Sequence, residues 1–299
     1  MNGMFEIGIL EFVELFNDEN ACRKYLFSKR FPNEFICPRC ECNSYCLHTT
    51  RNLYQCSKCK YQCSVTAGTI MHKSQTPLRK WFMAMYLITK DKRGCSAMQL
   101  MRELKLTYKC AWLLLQKLRS AMGEIDNENT LSGIVEVDDA YIGGKKKGGK
   151  RGRGTKKTKI IAAVSKTDTG KPQKLKIKIV SNLKSKTIKK FASDYIDESS
   201  QIQTDSFHSY RKLSVEKFAH EYKIFNPDSD WLKWLHIIIS NAKSFVGGTF
   251  HGLREKHLQR YLDEFCYRFN RRKIGSFIFD CLAFDVMHVK PLSYAEIKG

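Results

Sequence analysis

Apolar residues recur at three- and four-residue spacing over three stretches: Leu78, Trp81, Phe82, Met85 and Tyr86; Met98, Leu100 and Leu104; Trp112, Leu115 and Leu118. That period predicts helices. Ser96 and Thr107 stand where N-caps belong, so two of these helices are expected over 96–104 and 107–122, with a turn at Lys105 and Leu106. Upstream, Phe12, Leu15 and Phe16 predict a short helical lead-in within 1–30. Beyond 131 the period changes. Gly133 to Asp139 alternates, with Val135 and Val137 on one side and Glu136 and Asp138 on the other, as in a strand. Segments 159–165 and 174–180 read as two further strands and 185–196 as a helix. Segment 202–205 reads as a short strand ending on Asp205, 222–225 as a fifth strand, and long helices follow from Trp231. Three strands, a helix, two strands and then helices make an α/β element order, that of an RNase H-like fold.

Residues 31–75 follow neither period and hold most of the twelve cysteines. Four regions are therefore expected: a lead-in (1–30), a cysteine-rich module (31–75), a helical region (76–125) and an α/β domain (131–290). A hydrophobic share of 42% excludes global disorder. Lys and Arg number 52 against 30 Asp and Glu, a formal charge of +22. An excess of that size predicts a polyanionic partner, read as nucleic acid, because basic side chains release counterions from phosphates. There is no uninterrupted apolar run of the ~18 residues a membrane span needs. Met1 to Asn20 is acidic and does not read as a signal peptide. The expected location is cytoplasmic and nucleoid-associated, where clustered cysteines stay reduced and serve as metal ligands.

Cys37-Pro38-Arg39-Cys40 is followed, after fifteen residues, by Cys56-Ser57-Lys58-Cys59. Two such knuckles supply the four thiolates that one structural Zn2+ takes, so a zinc ribbon is expected, with Cys42, Cys46 and Cys63 as spare thiols. The helix pair that follows has the layout of a helix-turn-helix, whose second helix would offer Lys109, Gln116, Lys117 and Arg119 to DNA. An ordinary helical hairpin with a solvated basic face is the other reading. Lys145 to Lys159 carries nine basic residues, four glycines and no acid. Lys146, Lys150, Arg151 and Arg153 would grip the DNA backbone there, or the stretch is a solvated linker.

In the expected sheet, Asp138 on the first strand and Asp205 at the end of the fourth lie side by side. Neighbouring carboxylates repel unless a cation intervenes. Two Mg2+ ions, with Mn2+ as a substitute, would relieve this and act on a phosphodiester. By itself, Asp205 also reads as a turn former. The helix from Trp231 to Val246 has no carboxylate; Asn241 offers an amide oxygen and Lys243 a phosphate contact. Asn241 also reads as a buried, hydrogen-bonded amide.

The segments VEVDDAYIGGKKKGGKRGRG, IQTDSFHSY and HIIISNAKSFVGGTFHGLREKHLQRYLDEFCYRFNRR, with the cysteine module, resemble the bacterial insertion-sequence transposases related to eukaryotic Merlin elements, from about Phe31 to Arg272. The resemblance implies an RNase H-like catalytic core that cuts and joins double-stranded DNA at terminal inverted repeats, working as a dimer or larger assembly. It implies Asp138 and Asp205 as the first two catalytic positions, with Asp139 standing where Glu is commoner in the family. Asn241, in ISN, matches the third position and Glu264, in YLDEF, is its rival. Asn241 takes precedence because the ligand should ride on the first helix after the fifth strand. A zinc-ribbon DNA-binding regulator with a degenerate nuclease domain is the alternative function.

Overall fold

The computed structural model describes residues 7–144, 155, 157–215, 218–224, 226 and 230–299. They fall into two units, 1–122 together with 274–299, and 123–273. Among the described residues, no helix is long and apolar enough to cross a membrane.

The first unit opens with α1 (Ile9–Leu15) and α2 (Glu19–Arg30). Asp18 caps α2 by accepting the Ala21 N–H at 2.6 Å. The ribbon follows as a three-stranded antiparallel sheet of β1 (Tyr45–His48), β2 (Leu53–Cys56) and β3 (Gln62–Cys63). A ring cluster ties it to α2: Phe27 stacks on Tyr54 at 4.6 Å, and Phe35 meets Tyr45 at 4.8 Å. Next come α3 (Leu78–Lys90), α4 (Ala97–Leu104) and α5 (Tyr108–Asn127), whose last turn belongs to the second unit. Pro77 offers α3 no capping side chain. Glu19 of α2 does so from a distance, its two carboxylate oxygens each 3.0 Å from the amides of Leu78 and Arg79.

The chain's end joins this unit. α9 (Ile278–His288) packs on α2 and α3, and Phe279 stands among Phe12, Phe16, Tyr25 and Phe82. A short α10 (Tyr294–Lys298) closes the chain. The expected α/β domain to residue 290 is thus too long. Its final helix buries its apolar face on the N-terminal helices instead.

α4 and α5 begin where expected. Ser96 caps the first through Gln99 N–H at 3.1 Å, and Thr107 the second through Cys110 N–H at 3.2 Å. Lys105, in the left-handed region at φ 48°, makes the turn. The facing of α5 corrects the DNA contacts expected of Gln116, Lys117 and Arg119, all of which are buried. Lys117 Nζ donates to the Ile70 carbonyl at 3.0 Å, and Arg119 donates to the Cys95 carbonyl at 2.9 Å. Each donates to the unit's own backbone, and burial pushes the Lys117 pKa down. Lys109, in the exposed first turn, stays at the surface with its ammonium 4.6 Å from the Tyr294 ring. Arg119→Ala is therefore expected to cost about 2–3 kcal/mol of stability, the worth of a charged hydrogen bond and its stranded carbonyl. Urea unfolding should register that loss, while DNA affinity of the folded variant stays at the wild-type value.

The second unit is built on a five-stranded mixed sheet of order β6-β5-β4-β7-β8. β4 (Ile134–Ile142), β5 (Thr158–Lys166) and β6 (Pro172–Val180) form an antiparallel meander. α6 (Ser185–Tyr195) crosses over, and β7 (Gln201–Asp205) and β8 (Ala219–Lys223) continue the sheet in parallel. This is the RNase H-like arrangement that the element order implied. The last strand lies three residues upstream of its expected position. It is a polar edge strand without the apolar alternation that marks a half-buried one.

Both faces of the sheet are covered. Val135, Val137, Ile161, Ala163 and Ile202 pack under Ile188 and Phe191 of α6. Ala140, Ile160, Ala162, Leu175 and Ile177 pack under α7 (Lys233–Thr249) and α8 (Glu255–Asn270). β5 is buried on both sides, so it reads as an unbroken apolar run. α8 also covers the β6 edge. Gln259 pairs with Ile179 N–H at 2.8 Å and the Ile177 carbonyl at 3.0 Å. Asn270 pairs with Leu175 N–H at 2.7 Å and its carbonyl at 3.1 Å.

Candidate metal centres

The ribbon cysteines sit in two matching turns. Glu41 N–H bonds the Cys37 carbonyl at 3.0 Å, and Lys60 N–H bonds the Cys56 carbonyl at 3.1 Å. Each turn then passes through a left-handed residue, Glu41 at φ 59° and Lys60 at φ 60°. Each is closed by the first cysteine's own amide, Cys37 onto the Cys42 carbonyl and Cys56 onto the Tyr61 carbonyl, both at 2.9 Å. The turns point four sulfurs at one spot. Sγ atoms of Cys37 and Cys59 lie 3.6 Å apart, and those of Cys40 and Cys56 lie 3.5 Å apart. A tetrahedral zinc with Zn–S bonds of about 2.3 Å has sulfur–sulfur edges of about 3.8 Å, so the four thiols fit Zn2+. Hydrogen bonds from the Cys59 and Lys58 amides lower the Cys56 pKa to about 6, favouring the thiolate a metal needs. Among the described residues, these cysteines make the one group of three or more His, Cys, Asp or Glu ligand atoms lying within 4.8 Å of one another. Cys42, Cys46 and Cys63 stay outside it, as expected of spare thiols.

A second group of polar side chains gathers on the α7 side of the large sheet. Ile134, Val135 and Glu136 of β4 pair with Gln201, Ile202 and Gln203 of β7, and the same offset carries Asp138 opposite Asp205. Both acids fall on the face opposite Val135 and Ile202, which pack under α6. Asp205 receives the Phe207 amide at 3.0 Å in a tight turn after β7. Trp231, in the approach to α7, donates to the carbonyl of neighbouring Thr204 at 2.9 Å. That bond ties the start of α7 to the end of β7.

The acids next to Asp138 have other partners. Asp139 faces α6 and lies 3.5 Å from the Tyr210 hydroxyl. Glu136 is buried, taking Lys166 Nζ at 2.9 Å and Leu235 N–H at 3.1 Å. Asp138 instead meets His236 of α7, with Oδ2 to Nε2 at 3.2 Å. That hydrogen bond raises the His236 pKa, against the effect of burial, and the charges of Asp138, Glu136 and Asp205 act the same way. The histidine thus faces acidic side chains, Asp138 foremost. Carboxylate oxygens are the donor set for a hard divalent cation such as Mg2+.

His236 was missed as a partner for Asp138. The signal available was a histidine in the first turn of the first helix after β8. The two residues named for the third position fare differently. Glu264, the rival for that position, is fully buried in α8 with Arg268 3.7 Å away. Asn241 is exposed, not a buried amide. It lies five residues after His236, about 140° round the helix, and does not share the face that meets Asp138. Lys243, seven residues on and also exposed, returns to within about 20° of that face. Lys146, Lys150, Arg151 and Arg153 lie outside the described residues.

Residues 130–270 match the family model of the ISXO2-like transposase domain, and residues 17–62 match that of the transposase zinc-ribbon domain. The chain is 26% identical over 228 residues to an uncharacterized protein in transposable element ISH50 of Halobacterium salinarum, covering 71% of this chain and 76% of that one. It is 28% identical over 103 residues to an uncharacterized transposase-like protein of Haemophilus influenzae, covering 33% of this chain and 82% of that one. Two solved structures overlap it weakly. A chain of a simian T-cell lymphotropic virus intasome complex shares 11% identity, over 61% of this chain and 64% of that one, with a TM-score of 0.29. A pre-cleavage Mos1 transpososome shares 13% identity, over 64% of this chain and 75% of that one, with a TM-score of 0.24.

Proposed function

The chain belongs to the insertion-sequence transposases, carrying their zinc-ribbon and ISXO2-like transposase domains, and on that premise we propose that it binds the terminal inverted repeats of a mobile element and catalyses DNA strand cleavage and strand transfer. The observation that carries this reading is the pair Asp138 and Asp205, level on adjacent parallel strands and facing α7. Asp138 and Asp205 would hold two divalent cations, Mg2+ or Mn2+, with His236 orienting Asp138 from α7. When bound, the cations supply an activated water for attack on the scissile phosphodiester and charge stabilisation for the leaving 3′ oxygen. The side chains do the rest. Through such cations Asp138 and Asp205 would set where the phosphate sits, and Lys243, exposed near the same face of α7, holds its backbone oxygens. Strand transfer uses the same site: the freed 3′-hydroxyl attacks a target phosphodiester, forming a new P–O bond and displacing the target strand's own 3′ oxygen as a hydroxyl.

DNA is gripped elsewhere by basic surface. Lys109 and its exposed helical turn contact the element end, and Lys146, Lys150, Arg151 and Arg153 hold the backbone near the cut. Two ends must be brought together, so two or more copies act. The decisive test uses the DNA flanking the coding region. With Mg2+, the protein is expected to nick that duplex at the inverted repeat and to join a precut end to a second duplex. Nicking without joining would mark a nuclease, and binding without nicking would mark a regulator.

A further inference from the structure

Two residues back along each strand from the two aspartates lies a second layer of side chains. Glu136 and Gln203 are register partners on β4 and β7, each two residues before an aspartate and on the same face. Lys166, at the end of β5, reaches both: its ammonium lies 2.9 Å from Glu136 Oε1 and 2.9 Å from Gln203 Oε1. The other Glu136 oxygen accepts the Leu235 amide at 3.1 Å, in the first turn of α7. The next residue of α7 is His236, against Asp138. Glu136 is 1% exposed, so its charge is kept from water and neutralised by Lys166 and the helix amide.

We propose that Glu136, acting with Lys166 and Gln203, is a positioning residue for the catalytic centre: it fixes the spacing of Asp138 and Asp205 and seats His236 by anchoring the start of α7. The inference rests on the aspartate-pair reading above and adds to it a part of the site that holds no cation itself. The physical argument is geometric. One carboxylate joins three elements, β4, β5 and α7, and its lysine partner joins the fourth, β7. Each of the four carries or directly precedes a side chain of the centre, except β5, which supplies the bridge. A carboxylate buried at such cost, when an apolar pair of similar volume would pack as well, is retained for the geometry it imposes.

The test separates positioning from stability. Glu136→Met with Lys166→Met removes both charges together and keeps the volume, a replacement that is neutral for many buried ion pairs. Mn2+ binding is read by electron paramagnetic resonance, melting temperature by calorimetry, and nicking as a function of Mg2+ concentration. The double variant should melt near the wild type yet bind Mn2+ about ten- to a hundredfold more weakly, the usual loss when an outer-shell partner of a metal site is removed. Nicking should need correspondingly more Mg2+ and recover when it is supplied. Glu136→Gln, which keeps an acceptor for the Leu235 amide, should fall between the two. A folded double variant with wild-type Mn2+ affinity overturns the proposal. Should the double variant not fold, the same result in Glu136→Gln overturns it. If Asp138→Ala also leaves Mn2+ binding unchanged, it is the aspartate-pair reading that has failed.

Discussion

Alanine at Asp138 is expected to lower Mg2+-dependent nicking by roughly a thousandfold or more, because several kcal/mol of transition-state stabilisation pass through that position and each 1.36 kcal/mol is tenfold in rate. Asp205→Ala should do the same, and the double variant should lose little beyond either single one, since the two side chains act as a unit. A structural account of these residues predicts a different outcome. Asp138 accepts from His236 and from its own neighbour's amide, Asp139 N–H at 2.7 Å, so its removal also costs contacts. Thermal melts with and without Mn2+ separate the two. A ligand that binds the folded state alone, at a hundred times its dissociation constant, stabilises by about 2.7 kcal/mol. The wild type should gain that increment and both alanine variants should not. Variants that still nick DNA at the wild-type rate would leave the sheet without a catalytic role.

The second large effect lies in the ribbon. Chelation of zinc, or Cys56→Ser, is expected to melt the region around 37–63 as one cooperative piece. The four sulfurs converge within 4.8 Å, whereas the sheet behind them has three strands of four residues or fewer. Binding of structural zinc releases about 10–16 kcal/mol at neutral pH, more than so small a sheet gains from its own burial. Amide hydrogen exchange should show protection of Cys37, Cys56 and Lys60 lost after chelation and regained when Zn2+ is returned. The purified protein should carry one zinc per chain by mass spectrometry. Full protection in a zinc-free sample would assign the stability to the ring cluster of Phe27, Phe35, Tyr45 and Tyr54 instead.

What could be read from the residues alone followed from patterns that are local in the chain. The strand from Ile134 shows its two faces by alternation, and the buried β5 shows itself as an apolar run, so their elements were legible. The two Cys-x-x-Cys knuckles were legible because metal geometry constrains spacing directly. Other features depend on distance in sequence. Lys117 and Arg119 look like surface residues in any binary pattern; they are inside, where the carbonyls of Ile70 and Cys95 accept their hydrogen bonds. α9 gives no sign in its own residues that it will pack on α2 and α3. The rotation of α7 about its axis is set by how it docks on the sheet. The sequence therefore offered His236 and Asn241 on one helix without saying which of them meets Asp138. The clamp at Glu136 was hidden for the same reason, since its partners lie 30 and 99 positions away.

The amides of Gln259 and Asn270 have a bearing on how copies of this protein meet. A bare outer strand invites a neighbour to extend the sheet, by the same ladder that builds fibrils. On β6, hydrogen-bonding groups of Leu175, Ile177 and Ile179 are already taken by these two side chains, each imitating the peptide group of an absent strand. Sheet extension between two molecules is blocked along this margin. Losing Asn270 should therefore open this margin to intermolecular pairing and clumping.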